Sequence, residues 1–263
     1  MTVDIGFAGI LLYLLVFVRL CGMLLFNPLL NRNGVPAMVR IGLILLLTLL
    51  LAPLQPDSAM ENVYSMGAFS LVLAVFRELA IGLVFGYVFQ VFYYLLFYVG
   101  DVIDTDIGLS MAKTMDPAVN ISTGFSTSLV TTVFSLYIFV SGSHYKLFEI
   151  FASTFRNINV GSFTLSAGIL SFCVELFCMV FSLALRLAAP MMVAEFALQF
   201  SMGVLMKFIP QITVFVINFQ LRIMLGLLML FMFAPYIGSF IDSYIDVLFD
   251  NLVDAAALLA TAG

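Results

Sequence analysis

Long apolar runs that are interrupted by single charges limit what this chain can fold into more than any other feature. A bilayer core needs about 20 apolar residues per helix, and the run at residues 5–26 is long enough to cross one. The stretch at 63–99 is longer than one simple span, and residues 163–241 are almost continuously apolar. Because such a chain requires a non-aqueous environment, we expect an all-α membrane protein built from long, kinked helices and helical hairpins.

The composition agrees with this expectation. Apolar residues make up 63% of the chain and charged residues 10%, whereas soluble domains usually have about 25% charged residues. No stretch has the composition of a separate soluble domain, so we expect one domain over residues 1–263. The sequence has no basic patch of the kind that binds nucleic acid.

The apolar pattern predicts helices of different lengths. The run at 41–54 is short for a span and ends at two prolines. The stretch at 63–99 predicts either one long helix or a helix that bends near Arg77 and Glu78. A further helix is expected at 125–140, and a mixed connection at 141–159.

The second half predicts two long, broken helices joined as a hairpin around residues 207–211. Pro190 and Pro210 each remove a backbone donor, which kinks or ends a helix. Beyond them, Asp242, Asp246, Asp250 and Asp254 recur every fourth residue. They are expected on one side of a helix, as a solvated face or as a surface for a basic partner.

Ionisable residues inside the apolar runs are expensive, since a charge at the centre of a membrane helix costs ~2.5–3.5 kcal/mol. Two interpretations are open. The charges pair within the chain, as the adjacent Arg77 and Glu78 suggest, or they lie at contacts with other subunits, which the number of such residues favours. The residues concerned are Arg19, Arg77, Glu78, Glu175, Arg186, Glu195, Lys207 and Arg222.

The sequence does not favour an enzyme or a metal protein. The lone histidine, His144, has no nucleophile motif nearby, and the three cysteines (Cys21, Cys173 and Cys178) lie inside apolar runs without metal-ligand spacing. No cofactor is expected. A secondary transporter is the rival class, but its acidic residues would converge in one region, and those of this chain do not.

Two further segments stand out. Gly82 and Gly86 form a GxxxG pattern, which permits close helix contact either within the chain or between subunits. The polar segment 101–124 mixes small residues with Leu109, Met111 and Met115. Methionine adapts to irregular surfaces, so this segment is either an ordinary loop or one that enters protein or a pore.

The polar segment contains the motif Gly-Leu-Ser-Met-Ala-Lys-Thr-Met-Asp-Pro at residues 108–117. This motif resembles the loop motif of the FliR family of flagellar type III export-gate subunits and of its injectisome (SctT) relatives. Further matching segments follow the family's order around that motif. They are residues 19–28, 34–42, 77–83, 141–145, 186–190 and 208–215.

The resemblance implies a non-enzymatic subunit in a helical assembly at the bacterial inner membrane and flagellar basal body, partly above the membrane plane. Residues 1–160 would resemble the partner FliP and residues 161–263 the partner FliQ, with FlhB at the gate, membrane lipid around it and exported flagellar proteins as cargo. A virulence injectisome is the alternative. The resemblance also implies that the loop plugs the channel through Asp106, Gly108, Leu109, Ser110, Met111, Ala112, Met115, Asp116 and Pro117.

Overall fold

The chain is described by a computed structural model at residues 5–31, 35–110, 123–161, 167–208 and 214–261. Every regular element in those ranges is helical, which confirms the all-α prediction. The helices are α1 (Ile5–Leu25), α2 (Ala37–Leu51) with a 3-10 turn (Ala52–Leu54), α3 (Asp57–Ser65), α4 (Ala68–Ile107), α5 (Phe125–Val140), α6 (Ser143–Asn157), α7 (Ala167–Phe208) and α8 (Val214–Thr261).

Three of these helices are longer than a bilayer core. α4 has 40 residues, α7 has 42 and α8 has 48, and 40 residues of α-helix extend about 60 Å. Within the described residues, four helices are long and apolar enough to cross a membrane, or five spans arise if α5 and α6 form one broken span. Only 17–28% of each of the four apolar windows is buried inside the chain, so most of this surface is left for lipid or other proteins.

Two compact units divide the chain, and each combines distant segments. The first comprises Met1–Phe92, Gly142–Phe177 and Asp246–Gly263. In its core Phe85 meets Phe151 edge to face, with ring centroids 6.2 Å apart. The second comprises Tyr93–Ser141 and Cys178–Ile245.

The core of the second unit is organised around an aromatic cluster. The ring of Phe134 lies 6.3 Å from those of both Tyr93 and Tyr244. Phe134 and Tyr244 are buried, and Phe240 stacks on Tyr244 at 5.6 Å. This cluster joins α5 to α8 and to the segment of α4 that leads into the polar loop.

The third apolar stretch is divided between two helices, because residues 63–65 end α3 and residues 68–99 lie in α4. α4 is one continuous helix through Arg77 and Glu78, and it continues past residue 99 to Ile107. The predicted loop at 101–124 therefore begins with seven helical residues. The charges do not break the helix because Glu78 has a buried partner, which is described below.

The connection predicted at 141–159 is wrong, because residues Ser143–Asn157 form α6. Leu147, Phe151 and Phe155 recur every fourth residue and are all buried. The polar residues that made the segment read as a connection lie on the exposed face of an amphipathic helix.

The prolines that the structure describes in the second half do not end the helices that contain them. Pro190 lies inside α7 and Pro235 inside α8, and neither ends its helix. In apolar surroundings a helix continues through proline, since unwinding would leave further backbone groups unpaired. Pro210 and the hairpin connection lie outside the described residues.

Candidate functional site at the base of the polar loop

The polar loop is described only at its two ends. Asp106 lies in the last turn of α4, and Gly108, Leu109 and Ser110 follow that helix. The other predicted plug residues lie outside the described residues, namely Met111, Ala112, Met115, Asp116 and Pro117. The geometry therefore concerns how the loop is held at its base.

Asp104 ties the two ends of the loop together. Its carboxylate accepts hydrogen bonds from the backbone N–H of Ser126 at 2.8 Å and of Thr127 at 3.2 Å. The Thr127 hydroxyl donates a third at 3.1 Å. These are N–H groups of the first turn of α5, which have no partner inside their own helix. Asp104, which is fully buried, thus caps α5 from the end of α4, and we call this contact the Asp104 clamp.

Two glycines make the Asp104 clamp possible. A Cβ on Gly124, the residue that precedes α5, would lie 1.7 Å from a carboxylate oxygen of Asp104. A Cβ on Gly100 would lie 2.3 Å from the Cα of Thr127. α4 and α5 therefore approach each other at backbone distance next to the polar loop, and a side chain at either glycine would separate them.

Arg222 of α8 holds the end of α4. Its Nε donates to the backbone carbonyl of Asp106, and its Nη2 donates to that of Thr105 at 3.4 Å. The last carbonyls of a helix carry partial negative charge and attract cations. Gly108 follows with a φ of +86°, the left-handed conformation with which helices commonly end. The start of the loop is thus fixed by one arginine and one glycine.

Acidic groups lie beside this arginine. The Nε of Arg222 is 3.6 Å from Oε2 of Glu195, which is buried in α7. Glu195 and Asp106 both line a pocket of about 400 Å³. Two carboxylates therefore line one pocket at the base of the loop, next to the guanidinium of Arg222.

A fully buried ion pair lies in the first unit. Nε of Arg19 donates to Oε2 of Glu78 at 2.5 Å, and both side chains are fully buried. Nη1 of Arg19 donates to the backbone carbonyls of Thr154 and Ile158 at 3.1 and 3.3 Å. The other oxygen of Glu78 accepts from the backbone N–H of Gly161 at 2.7 Å. These contacts join α1 and α4 to the end of α6. Most polar atoms of the pair have a hydrogen-bond partner, so the buried charges are satisfied.

The GxxxG pattern makes a contact within the chain. A Cβ on Gly82 would lie 2.3 Å from the carbonyl oxygen of Arg19 and 2.8 Å from the Cα of Gly22. A Cβ on Gly86 would lie 2.8 Å from the carbonyl oxygen of Gly22. The two glycines of α4 thus admit the backbone of α1, and the same crossing brings Arg19 to Glu78.

The eight charges of the apolar runs divide into two groups. Four of them pair within the chain, as Arg19 with Glu78 and Glu195 with Arg222. The others make no ion pair within the described residues, where Arg77 is half-buried and the remaining three are exposed. Those three are Glu175, Arg186 and Lys207.

The sequence analysis missed the contacts of Asp104, and the pairing of Glu78 with its neighbour Arg77, which was one of its two alternatives, is not found. Adjacent residues of a helix point in different directions, so Arg77 does not face the partner of Glu78. A usable signal for Asp104 was Gly124 itself, since a helix that begins after glycine has no capping side chain of its own. No group of three or more His, Cys, Asp or Glu side chains able to hold a metal occurs in the described parts of the chain.

Comparison with known proteins gives one family. Residues 10–248 match the family described as bacterial export proteins, family 1. The flagellar biosynthetic protein FliR of Escherichia coli K12 is 26% identical over 229 residues, which cover 87% of this chain and 86% of that protein. FliR of Caulobacter vibrioides is 28% identical, covering 82% and 85%. The Yop proteins translocation protein T of Yersinia pestis is 25% identical, covering 89% and 90%.

Proposed function

The chain belongs to the bacterial export proteins of family 1, and we propose that it is a core subunit of the flagellar type III protein export gate. The observation that carries this proposal is the extent of the family match, which reaches from residue 10 to residue 248 and so includes part of every helix described above. The long apolar helices fit a membrane-embedded component of such an apparatus. The role is structural, since the family forms the export apparatus.

A virulence injectisome is the second candidate. The translocation protein T of Yersinia pestis matches over 239 residues, which is as much of the chain as FliR relatives match. The flagellar system is preferred because FliR relatives from Escherichia coli, Bacillus subtilis and Caulobacter vibrioides all match. The two systems differ in their cargo.

The partners and the location follow from the family resemblance. We place the chain in the bacterial inner membrane and flagellar basal body, in a hetero-oligomer with FliP and FliQ and next to FlhB, with part of the chain above the membrane plane. The division into a FliP-like part (1–160) and a FliQ-like part (161–263) belongs to the same proposal. The large apolar surface that the fold leaves exposed supports an assembly of this kind.

The polar loop is proposed as the closure element of the channel. The Asp104 clamp and Arg222 support this role, because they hold the two described ends of the loop in place. Small and flexible apolar side chains exclude water and ions, yet a passing unfolded chain can displace them. Exported flagellar proteins would be the transient cargo.

Gene deletion tests the export function. Removing the gene for this chain from its own bacterium should abolish secretion of hook and filament proteins into the medium while their cytoplasmic pools persist, and a plasmid copy should restore secretion. Unchanged flagellar secretion together with lost secretion of effector proteins would assign the chain to an injectisome. Unchanged secretion by both systems would refute the export role.

Loop deletion tests the closure role. A chain that lacks residues 110–115 should still co-purify with its partner subunits, but membranes that contain the assembled gate should leak ions. Ion flux into vesicles, measured with a pH-sensitive dye, gives the readout. An assembled gate that stays tight without these residues would refute the plug.

A further inference from the structure

Glu195 is a buried carboxylate with too few donors. Its side chain is 3% exposed, and neither of its carboxylate oxygens accepts a hydrogen bond within the described residues. Oδ2 of Asp106 is buried and lacks a partner in the same way. The nearby cation, Arg222, directs its hydrogen bonds to backbone carbonyls and approaches Glu195 only to 3.6 Å. An unsatisfied buried carboxylate is costly. A further hydrogen-bond donor at this site would remove that cost.

The shape of the site indicates which donor it takes. The pocket of about 400 Å³ has polar groups at Asp106, Glu195 and Gln199, whereas its other walls are Met192, Val193 and Phe196. A lysine or arginine side chain suits such a lining, because its aliphatic stem packs on apolar walls while its charged head reaches the carboxylates. A metal ion of the calcium type would require six or more oxygen ligands, and this lining does not supply them.

The surface around the pocket indicates where the basic side chain comes from. Val193, Phe196, Phe200 and Val204 of α7 are 67%, 72%, 68% and 44% exposed. Their spacing of three to four residues places them in one stripe along the helix. An apolar stripe that includes an acidic pocket is complementary to an apolar helix that carries one basic residue.

We propose that this pocket receives a lysine or arginine side chain from an apolar helix of a neighbouring subunit in the assembled gate. The incoming group gives Glu195 the charge-assisted hydrogen bonds that it lacks and balances the second carboxylate beside Arg222. Because that arginine also holds the end of α4, the subunit contact is linked to the start of the polar loop. The proposal rests on the proposed function, since it requires an assembly.

Co-purification with charge variants tests the proposal. Glu195→Gln keeps the size of the side chain and removes its charge, and Glu195→Lys reverses it. The matched controls are Glu149→Gln and Glu149→Lys, since Glu149 of α6 is exposed and makes no ion pair within the described residues. Each tagged chain is purified from membranes in detergent, and the partner subunits that accompany it are quantified by mass spectrometry. The same chains, expressed without partners, are compared by size-exclusion chromatography.

We expect recovery of the partner subunits to fall several-fold with Glu195→Gln and more than tenfold with Glu195→Lys. Both Glu149 controls should match the wild type, and the Glu195→Gln chain expressed alone should elute like the wild type. Wild-type recovery with both Glu195 variants would overturn the proposal. A Glu195→Gln chain that aggregates when expressed alone would also overturn it, because the role would then lie within the chain. If the wild-type chain itself recovers no partner subunits, the proposed function fails instead.

Discussion

The ion pair between Arg19 and Glu78 shows why a charge inside an apolar helix is not in itself evidence of a contact with another subunit. The carboxylate neutralises the guanidinium, two backbone carbonyls of the α6 end take further N–H groups, and the ring of Phe155 lies 4.6 Å from the guanidinium carbon. The pair is satisfied inside the chain. It is also sensitive, since removal of one partner leaves the other charge buried and unpaired.

Glu78→Gln should therefore destabilise the isolated chain strongly, by ~3–5 kcal/mol, because a buried charge loses its partner. The measurement is thermal unfolding of the purified chain in detergent, followed by far-UV circular dichroism. Glu149→Gln is the control and should unfold like the wild type. The double variant Arg19→Met/Glu78→Met should recover much of the loss, since it leaves no unpaired charge. A Glu78→Gln chain that unfolds at the same temperature as the wild type would contradict a structural role for the pair.

The Asp104 clamp gives a prediction about both stability and leakage. Asp104→Ala should cost ~0.5–2 kcal/mol, the usual effect of losing a helix cap, and should increase ion leakage through the assembled gate because the loop loses its tie to α5. Asp104→Asn should have a smaller effect, since asparagine also caps helices well. Leakage is measured with a pH-sensitive dye in vesicles, with Asp250→Asn at an exposed position of α8 as the control. If Asp104→Ala leaked no more ions than the wild type, the Asp104 clamp would not be needed for channel closure.

At the scale of helices, hydropathy predicted most of the fold. α5 begins and ends where the apolar run at 125–140 does. Its Ser and Thr residues do not interrupt the helix, because their hydroxyls donate to carbonyls of the same helix, as that of Thr131 does to Thr127. Hydropathy did not predict α6, because only one stripe of that helix is apolar and buried while its other residues are polar or exposed. It also placed the end of α4 too early, because Asp104 finds its donors 22 residues further along the chain, which no local pattern reveals.

The crossing of α1 and α4 gives a prediction at this scale. Gly82→Ala should destabilise the chain, because the new methyl group meets the backbone of α1 at 2.3–3.1 Å and the helices must separate. Separation also pulls Arg19 away from Glu78, so the loss should exceed that of an ordinary helix substitution.

The matched control for this crossing is Gly42→Ala in α2, where a Cβ meets nothing within 4 Å. It should leave stability unchanged or raise it by ~0.5–1 kcal/mol, the usual gain of alanine over glycine in a helix. Thermal unfolding in detergent compares the two variants. If Gly82→Ala were as stable as Gly42→Ala, the close crossing would not be needed for the fold.

At the scale of the molecule, the exposed surface is as informative as the core. Phe69, Phe76, Phe196, Phe200 and Phe231 are each more than 60% exposed. Lipid satisfies such a surface, but it does not satisfy the charges that lie in the same helices and make no ion pair within the described residues. Contacts with other subunits remain the prediction for those charges, and Arg77 is half-buried whereas Glu175, Arg186 and Lys207 are exposed.

Arg77→Leu tests that prediction, and its contrast with Glu78→Gln makes the test sharp. The two residues are neighbours in α4, but Glu78 is fully buried against Arg19 whereas Arg77 is half-buried. Arg77→Leu should therefore leave the isolated chain as stable as the wild type, because no internal ion pair is lost. Recovery of partner subunits from membranes should fall several-fold, since a contact outside the chain is removed. Glu78→Gln, in contrast, should already destabilise the isolated chain, before any assembly with partner subunits. Normal recovery of the assembly with Arg77→Leu would mean that this arginine extends to the membrane surface, where a long basic side chain costs little.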